Sequence, residues 1–140
     1  MEKTAENASA VFSQYVAFLR ALYLLHQRNH WETKGYADHL LFQRLYEGTQ
    51  EMADEAAEKA IGIFGTLGNQ KTVSKIAEKY YNASDPVAGS LKAEQEFQKL
   101  AKTTYDSLEA SKKLTLGLDD MIMAHASKSE LHTYLLQQAK

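Results

Sequence analysis

Helix-breaking residues are scarce in this chain, and they fall at a few positions. Proline occurs once, at Pro86, and three of the seven glycines lie close together at Gly62, Gly65 and Gly68. Because proline and glycine interrupt helices most strongly, the long segments between these points favour helix. The sequence contains no strand-like alternation of apolar and polar residues. It therefore predicts an all-α protein.

Apolar residues recur at helical spacing along these segments. Between residues 5 and 33, Phe12, Val16, Leu19 and Tyr23 step by four, three and four, beside a second apolar row. Two neighbouring rows make a wide face that a helix buries against other helices. The N-terminal segment is therefore predicted to be a long core helix.

The same pattern and the helix-stop signals give the remaining boundaries. A second helix is predicted over 38–64 and a short one over 71–81, with Gly35 separating the first two. A third long helix should begin at Asp85 and Pro86 and end before Gly117, and a fourth should run from Asp119 to about residue 138. Four long helices with a short extra helix in the long crossover describe a ferritin-like four-helix bundle.

Length and composition limit the class of protein further. A chain of 140 residues predicts a single domain spanning 1–140. No stretch is expected to be apolar enough for a membrane span, no secretory signal is recognisable, and the lack of cysteine favours a cytoplasmic location. A net charge of -2 gives no general reason to bind nucleic acid.

Two histidines and two carboxylates form the candidate metal site. His30 and His39 flank the predicted turn, whereas Asp54 and Glu58 lie 15 and 19 residues beyond His39 on the second helix. At about 1.5 Å per residue, the two pairs are about 22 to 28 Å apart in one chain. If they share a metal, two chains must therefore dimerise with their hairpins running in opposite directions.

A solvated helix face is the alternative interpretation of these polar residues. They belong to a row at helical spacing, and such charged rows usually face water. Two observations favour a metal: a tight hairpin brings His30 and His39 together, and Asp54 and Glu58 share one helix face. Imidazole and carboxylate ligands suit iron, with zinc or manganese as alternatives. The row consists of His39, Gln43, Glu47, Glu51, Asp54 and Glu58.

The same residues resemble the signature of the Dps-type mini-ferritins. The matching segments are His30-Trp31 with Gly35, then His39 to Tyr46 in the pattern H..F..LY, and then Asp54 to Lys59, which has D..AEK where the family has D..AER. The resemblance implies a dodecameric shell built from two-fold dimers, with iron sites between subunits. It also implies that Fe(II) is oxidised by hydrogen peroxide, in preference to dioxygen, and stored as Fe(III).

Three details of the resemblance concern individual residues. The segment between Gly35 and His39 is about three residues shorter than is usual in the family, so the turn should differ. Gln43 stands where many members carry an acidic group, which implies a more weakly held second iron. The family's tryptophan lies near the iron and can take oxidising equivalents, so Trp31 is a candidate catalytic residue. Packing at the subunit interface is the alternative role for Trp31.

Other polar residues are assigned structural roles. His26 lies one turn before His30 and could support the site, but a hydrogen bond within the core is the favoured interpretation. His125 and His132 are interpreted as structural or surface residues. The family places acidic residues at shell pores, and Asp119 and Asp120 could have that role, although helix capping is preferred.

Two other functions stay open. DNA-coating members of the family generally carry lysine-rich tails, whereas the first ten residues here include only Lys3 and the C-terminus ends with Lys140. DNA binding is therefore not expected. The second alternative is a shell that has lost catalysis.

Overall fold

Five helices build the protein. The computed structural model describes the backbone of residues 2–139 and the side chains of residues 8–139. The helices are α1 (Glu2–Glu32), α2 (Tyr36–Phe64), α3 (Val73–Tyr80), α4 (Pro86–Ala110) and α5 (Leu116–Gln138). The hairpin of α1 and α2 packs against the hairpin of α4 and α5, and α3 lies in the crossover against α1 and α4. This arrangement confirms the all-α class and the short helix in the long crossover.

The predicted apolar row of α1 forms the centre of the core. Phe12, Val16 and Leu19 are fully buried, and Tyr23 is partly buried. Burying each large apolar side chain contributes about 1.5–3 kcal/mol, so this row alone accounts for much of the attraction between α1 and its neighbours. On the later helices Phe97, Leu108 and Leu118 are buried in the same cluster, whereas Phe42, Leu45 and Leu136 lie in a second, smaller one.

One expectation about α1 needs correction. The segment Ala8–Glu32 is long and apolar enough to cross a membrane by length and composition alone. Its position explains that composition, because α1 contacts α2, α3 and α4 and is therefore apolar on several sides. The same segment carries His26 and Asn29, which are fully buried and hydrogen-bonded to α4. These features are those of a buried core helix.

Two helix starts follow directly from the local sequence. Gly35 adopts a φ of 96°, which reverses the chain at once, so α2 begins at Tyr36 rather than two residues later as predicted. The predicted start of α4 is confirmed: the Asp85 carboxylate accepts a hydrogen bond of 3.0 Å from the backbone N–H of Ala88, and Pro86 occupies the first turn.

The connection between α4 and α5 differs from the prediction. Ala110 ends α4 and Lys112 adopts a φ of 60°, so the break comes earlier than Gly117, which lies inside the first turn of α5. Thr115 caps α5, because its hydroxyl accepts a hydrogen bond from the backbone N–H three residues ahead. The prediction that Asp119 begins and caps this helix is therefore wrong.

Candidate metal centre

His30 and His39 meet across the hairpin turn. Their rings stack with centroids 3.8 Å apart and an interplanar angle of 24°. Each Nδ1 lies within hydrogen-bonding distance of the other residue's backbone carbonyl, at 2.8 Å for His30 and 2.9 Å for His39. The short turn and the left-handed Gly35 bring the two helix ends close enough for this exchange. The prediction that the hairpin pairs these histidines is confirmed.

This exchange of hydrogen bonds sets the tautomer of both rings. A carbonyl oxygen can only accept, so both Nδ1 atoms must carry the proton that is donated. In the neutral ring the Nε2 atom then keeps its lone pair, which is the state that binds a metal. The hairpin therefore offers two oriented Nε2 donors, with His30 nearly buried and His39 half-buried.

The other predicted ligands lie elsewhere on the subunit. Asp54 and Glu58 are exposed on α2, about one and two helical turns past its middle, and Trp31 is 67% exposed beside the histidine pair. Within residues 8–139, no group of three or more metal-binding side chains meets in one chain. A single subunit therefore leaves the two halves of the candidate site apart, as the spacing required.

The outer face of the α1–α2 hairpin is partly apolar. Leu24 is exposed in the groove between the two helices, and Trp31 and Tyr36, both more than half accessible, are exposed at the turn that joins them. Asp54 lies in a groove of about 300 Å³ on this hairpin, between the two helices. Large exposed apolar side chains on one hairpin are typical of a surface that another protein covers. The groove is lined by Arg20, Tyr23, Leu24, Gln50, Ala53, Asp54 and Ala57.

A buried polar cluster inside the bundle contains a residue that the sequence interpretation missed. The Glu94 carboxylate accepts hydrogen bonds from His26 Nε2 at 2.6 Å, His132 Nδ1 at 3.4 Å and the Ser129 hydroxyl at 2.6 Å. The Ser90 hydroxyl, 2.9 Å from His26 Nδ1, completes the chain on the other side of that ring. These contacts confirm the core hydrogen bonding of His26 and the structural role of His132.

Electrostatics keep this buried carboxylate ionised. Burial by itself raises the pKa of Glu94, but the hydrogen bonds from His132 and His26 outweigh that effect and lower the pKa to about 2. The sequence contained one sign of this role, namely the position of Glu94 on its helix. Glu94 falls in the inward row of α4, three residues after Leu91 and three before Phe97, where a charged side chain needs a buried partner.

A second buried chain of hydrogen bonds crosses from α1 to α2 through α5. The Tyr15 hydroxyl lies 2.7 Å from His125 Nδ1, and His125 Nε2 lies 2.8 Å from the Glu55 carboxylate. Burial, reinforced by the Glu55 charge, raises the pKa of Tyr15 far above its ordinary value. Burial lowers the pKa of His125, although Glu55 opposes that shift. Tyr15 is therefore a neutral phenol that donates to a neutral imidazole.

Comparison with solved structures places this fold among ferritin-like bundles. Dps from Thermosynechococcus elongatus matches with a TM-score of 0.83 and 16% identity over 97% of this chain and 91% of that one. A Dps homologue from Halobacterium salinarum matches at 0.80 and 18%, covering 98% of this chain and 81% of that one. DpsC from Streptomyces coelicolor matches at 0.78 and 18%, covering 99% and 86%.

The fold is therefore that of the Dps-type mini-ferritins, which confirms the resemblance at the level of architecture. No protein-family model and no curated protein sequence matches this chain. At identities of 16% and 18%, the likeness concerns the backbone.

Proposed function

We propose that this protein is a ferroxidase that oxidises Fe(II) at sites between subunits and stores the Fe(III) product in a hollow shell. The shell is a cytoplasmic dodecamer built from two-fold dimers, and hydrogen peroxide is the preferred oxidant. At each site, His30 and His39 of one subunit face Asp54 and Glu58 of its partner. The observation that carries the proposal is the histidine pair, in which the Nδ1 contacts orient two Nε2 atoms that have no hydrogen-bond partner among residues 8–139.

The chemistry of these donors suits Fe(II). Neutral imidazole binds Fe(II), carboxylate oxygens stabilise the Fe(III) product, and a mixed set of this kind leaves positions for an oxidant. The carbonyl partners at both Nδ1 atoms orient the imidazoles before the metal arrives. Protonation of either Nε2 competes with the metal, so Fe(II) binding should weaken in acid.

The exposed surface of the α1–α2 hairpin supports a shared site. Trp31 lies beside the histidines and is largely exposed, as is Tyr36 at the start of α2. In a two-fold dimer the same surface meets itself, so each copy of the histidine pair faces the far end of the partner's α2. The apolar residues would then be buried, and each dimer would contain two equivalent iron sites.

Subunit complementation tests this arrangement. His30→Ala and Asp54→Ala proteins should each lose peroxide-dependent Fe(II) oxidation. When the two variants are co-assembled, half the dimers are mixed, and each mixed dimer has one intact site of two. Oxidation should therefore return to about a quarter of the wild-type rate, because sites shared across a two-fold interface combine groups from both chains.

The controls separate this proposal from its alternatives. Glu51→Ala changes another exposed carboxylate of α2 and should leave oxidation unchanged. Two inactive variants that stay inactive after co-assembly would refute the shared site. Wild-type shells that bind no iron and oxidise none would instead identify a shell without catalysis. Light scattering coupled to gel filtration measures the assembly independently, by separating a dimer from a dodecamer of the 15.8 kDa chain.

A further inference from the structure

Reduction of hydrogen peroxide at a site that holds one Fe(II) ion needs a second electron donor. Hydrogen peroxide takes two electrons, whereas one Fe(II) supplies only one. Gln43 is neutral, and the Glu47 carboxylate beside it already accepts its hydrogen bond at 3.0 Å, so this position attracts a second Fe(II) ion less strongly than an acidic residue would. A site that holds one iron firmly therefore needs another electron donor, or it releases a radical.

The hydrogen-bonded residues Tyr15, His125 and Glu55, called here the tyrosine relay, have the chemistry of such a donor. Oxidation of a phenol at neutral pH requires its proton to leave at the same time, so a base must already accept that hydrogen bond. His125 Nδ1 is this base, 2.7 Å from the phenolic oxygen. Glu55 accepts from Nε2 at 2.8 Å, which fixes the tautomer and stabilises the imidazolium once it forms.

Burial makes the relay selective. Tyr15 is fully buried and packs against Phe12 and Phe97, with ring centroids 5.4 Å and 5.5 Å away, so peroxide in solution cannot reach the phenol. His125 is 3% exposed, whereas Glu55 lies at the surface. The phenolic proton therefore has His125 as its hydrogen-bonded acceptor. The positive charge of the resulting imidazolium is balanced by the Glu55 carboxylate, which stays in contact with water.

The relay also lies next to the proposed iron ligands. Glu55 directly follows Asp54 on α2, so the Asp54 carboxylate and the relay share adjoining residues of one helix. Asp54 faces the groove on the α1–α2 hairpin, and Glu55 faces α5. The path for an electron from Tyr15 to iron at Asp54 thus runs through the two hydrogen bonds of His125 to the side chain of Glu55. One peptide link then joins Glu55 to Asp54.

We infer that Tyr15 supplies the second electron when one bound Fe(II) reduces peroxide, and that its phenolic proton passes to His125. This inference rests on the proposed ferroxidase function. Fe(II) and the phenol each lose one electron, and the O–O bond breaks. The two oxygens leave as two waters after taking up two protons from solvent, while the phenolic proton stays on His125. A second Fe(II) then reduces the tyrosyl radical, and the proton returns from His125.

Freeze-quench electron paramagnetic resonance tests the inference directly. Wild-type shells are loaded with one Fe(II) per subunit and mixed with one equivalent of peroxide, in natural and in ring-deuterated tyrosine form. We expect a tyrosyl signal that narrows on deuteration. The signal should be lost in Tyr15→Phe, and lost or much weaker in His125→Asn, where the phenol remains but its base is gone.

A matched variant separates electron donation from packing. Tyr80 is also buried, but it lies on α3 and packs against Phe18, with ring centroids 6.0 Å apart. Tyr80→Phe should therefore keep the full signal. Spin-trapped hydroxyl radical per iron should rise in Tyr15→Phe and stay at the wild-type level in Tyr80→Phe, although both variants oxidise Fe(II).

The outcomes distinguish the two proposals. If the wild type oxidises no Fe(II) with peroxide, the ferroxidase function and the relay are both refuted. If oxidation proceeds but Tyr15→Phe keeps the radical signal and the wild-type yield of trapped radical, only the relay is refuted. A signal insensitive to deuterated tyrosine would assign the electron to Trp31 and equally overturn the inference.

Discussion

Replacing Glu94 with glutamine tests the role of the buried cluster in stability. Glu94→Gln keeps the size of the side chain and removes its charge. The amide oxygen can still accept from His26, and the amide nitrogen can donate to the Ser129 hydroxyl, which turns to the Glu94 backbone carbonyl 3.3 Å away. The substitution therefore changes mainly the charge, without leaving a polar group unpaired.

The magnitude follows from the lowered pKa of Glu94. A shift from 4.5 to about 2 corresponds to about 3 kcal/mol of stability at neutral pH. Because the pKa is lower in the folded state, this contribution is fully present above 4.5 and is lost as the pH falls through about 2. Between pH 6 and pH 3 the loss amounts to about 2 kcal/mol.

Denaturant unfolding at several pH values measures this loss. The wild-type free energy of unfolding should fall by about 2 kcal/mol more than that of Glu94→Gln between pH 6 and pH 3. Other carboxylates titrate in both proteins and cancel in the comparison. Glu130→Gln, an exposed change on α5, should follow the wild type throughout. Parallel curves for wild type and Glu94→Gln would refute the assignment of a buried, ionised carboxylate.

Two further predictions concern helix packing and capping. A Cβ at Gly89 would lie 2.3 Å from the Tyr80 carbonyl oxygen, so Gly89→Ala should destabilise the folded protein by about 1–3 kcal/mol. A Cβ at Gly62 would meet open space, so Gly62→Ala should stabilise the folded protein by about 0.5–1 kcal/mol. Denaturant midpoints that shift in opposite directions from the wild type in the two variants would confirm this contrast, and equal shifts would contradict it. Thr115→Ala should cost about 1 kcal/mol in the same assay through loss of the hydrogen bond from the Leu118 N–H, and an unchanged midpoint would contradict the cap.

Helix caps illustrate how far local sequence predicts this fold. Asp85 followed by Pro86 is a strong start signal, and the structure uses it as predicted. Near α5 the sequence offers two capping side chains, Thr115 and Asp119, four residues apart. Each would start a helix with similar local energy. Thr115 caps because the earlier start buries Leu118 fully in the core, and that gain depends on the rest of the bundle.

The polar sites likewise divide into one that local sequence predicts and one that depends on the packing of the bundle. The pairing of His30 with His39 was predictable, because nine residues and one turn separate them. Glu94 is 68 residues from His26 and 38 from His132, and no short pattern connects such distant positions. Their meeting depends on how α4 and α5 are rotated and shifted against α1.

The amino-acid sequence by itself determined the helices, the bundle class and the histidine hairpin of this protein. Apolar spacing, breaker residues and short turns act over a few residues, so their energies can be summed without knowing the rest of the chain. The tertiary structure alone decided the Glu94 cluster, the tyrosine relay and the choice of cap on α5. These features depend on the relative rotation and register of helices, which only the packing of the whole core selects.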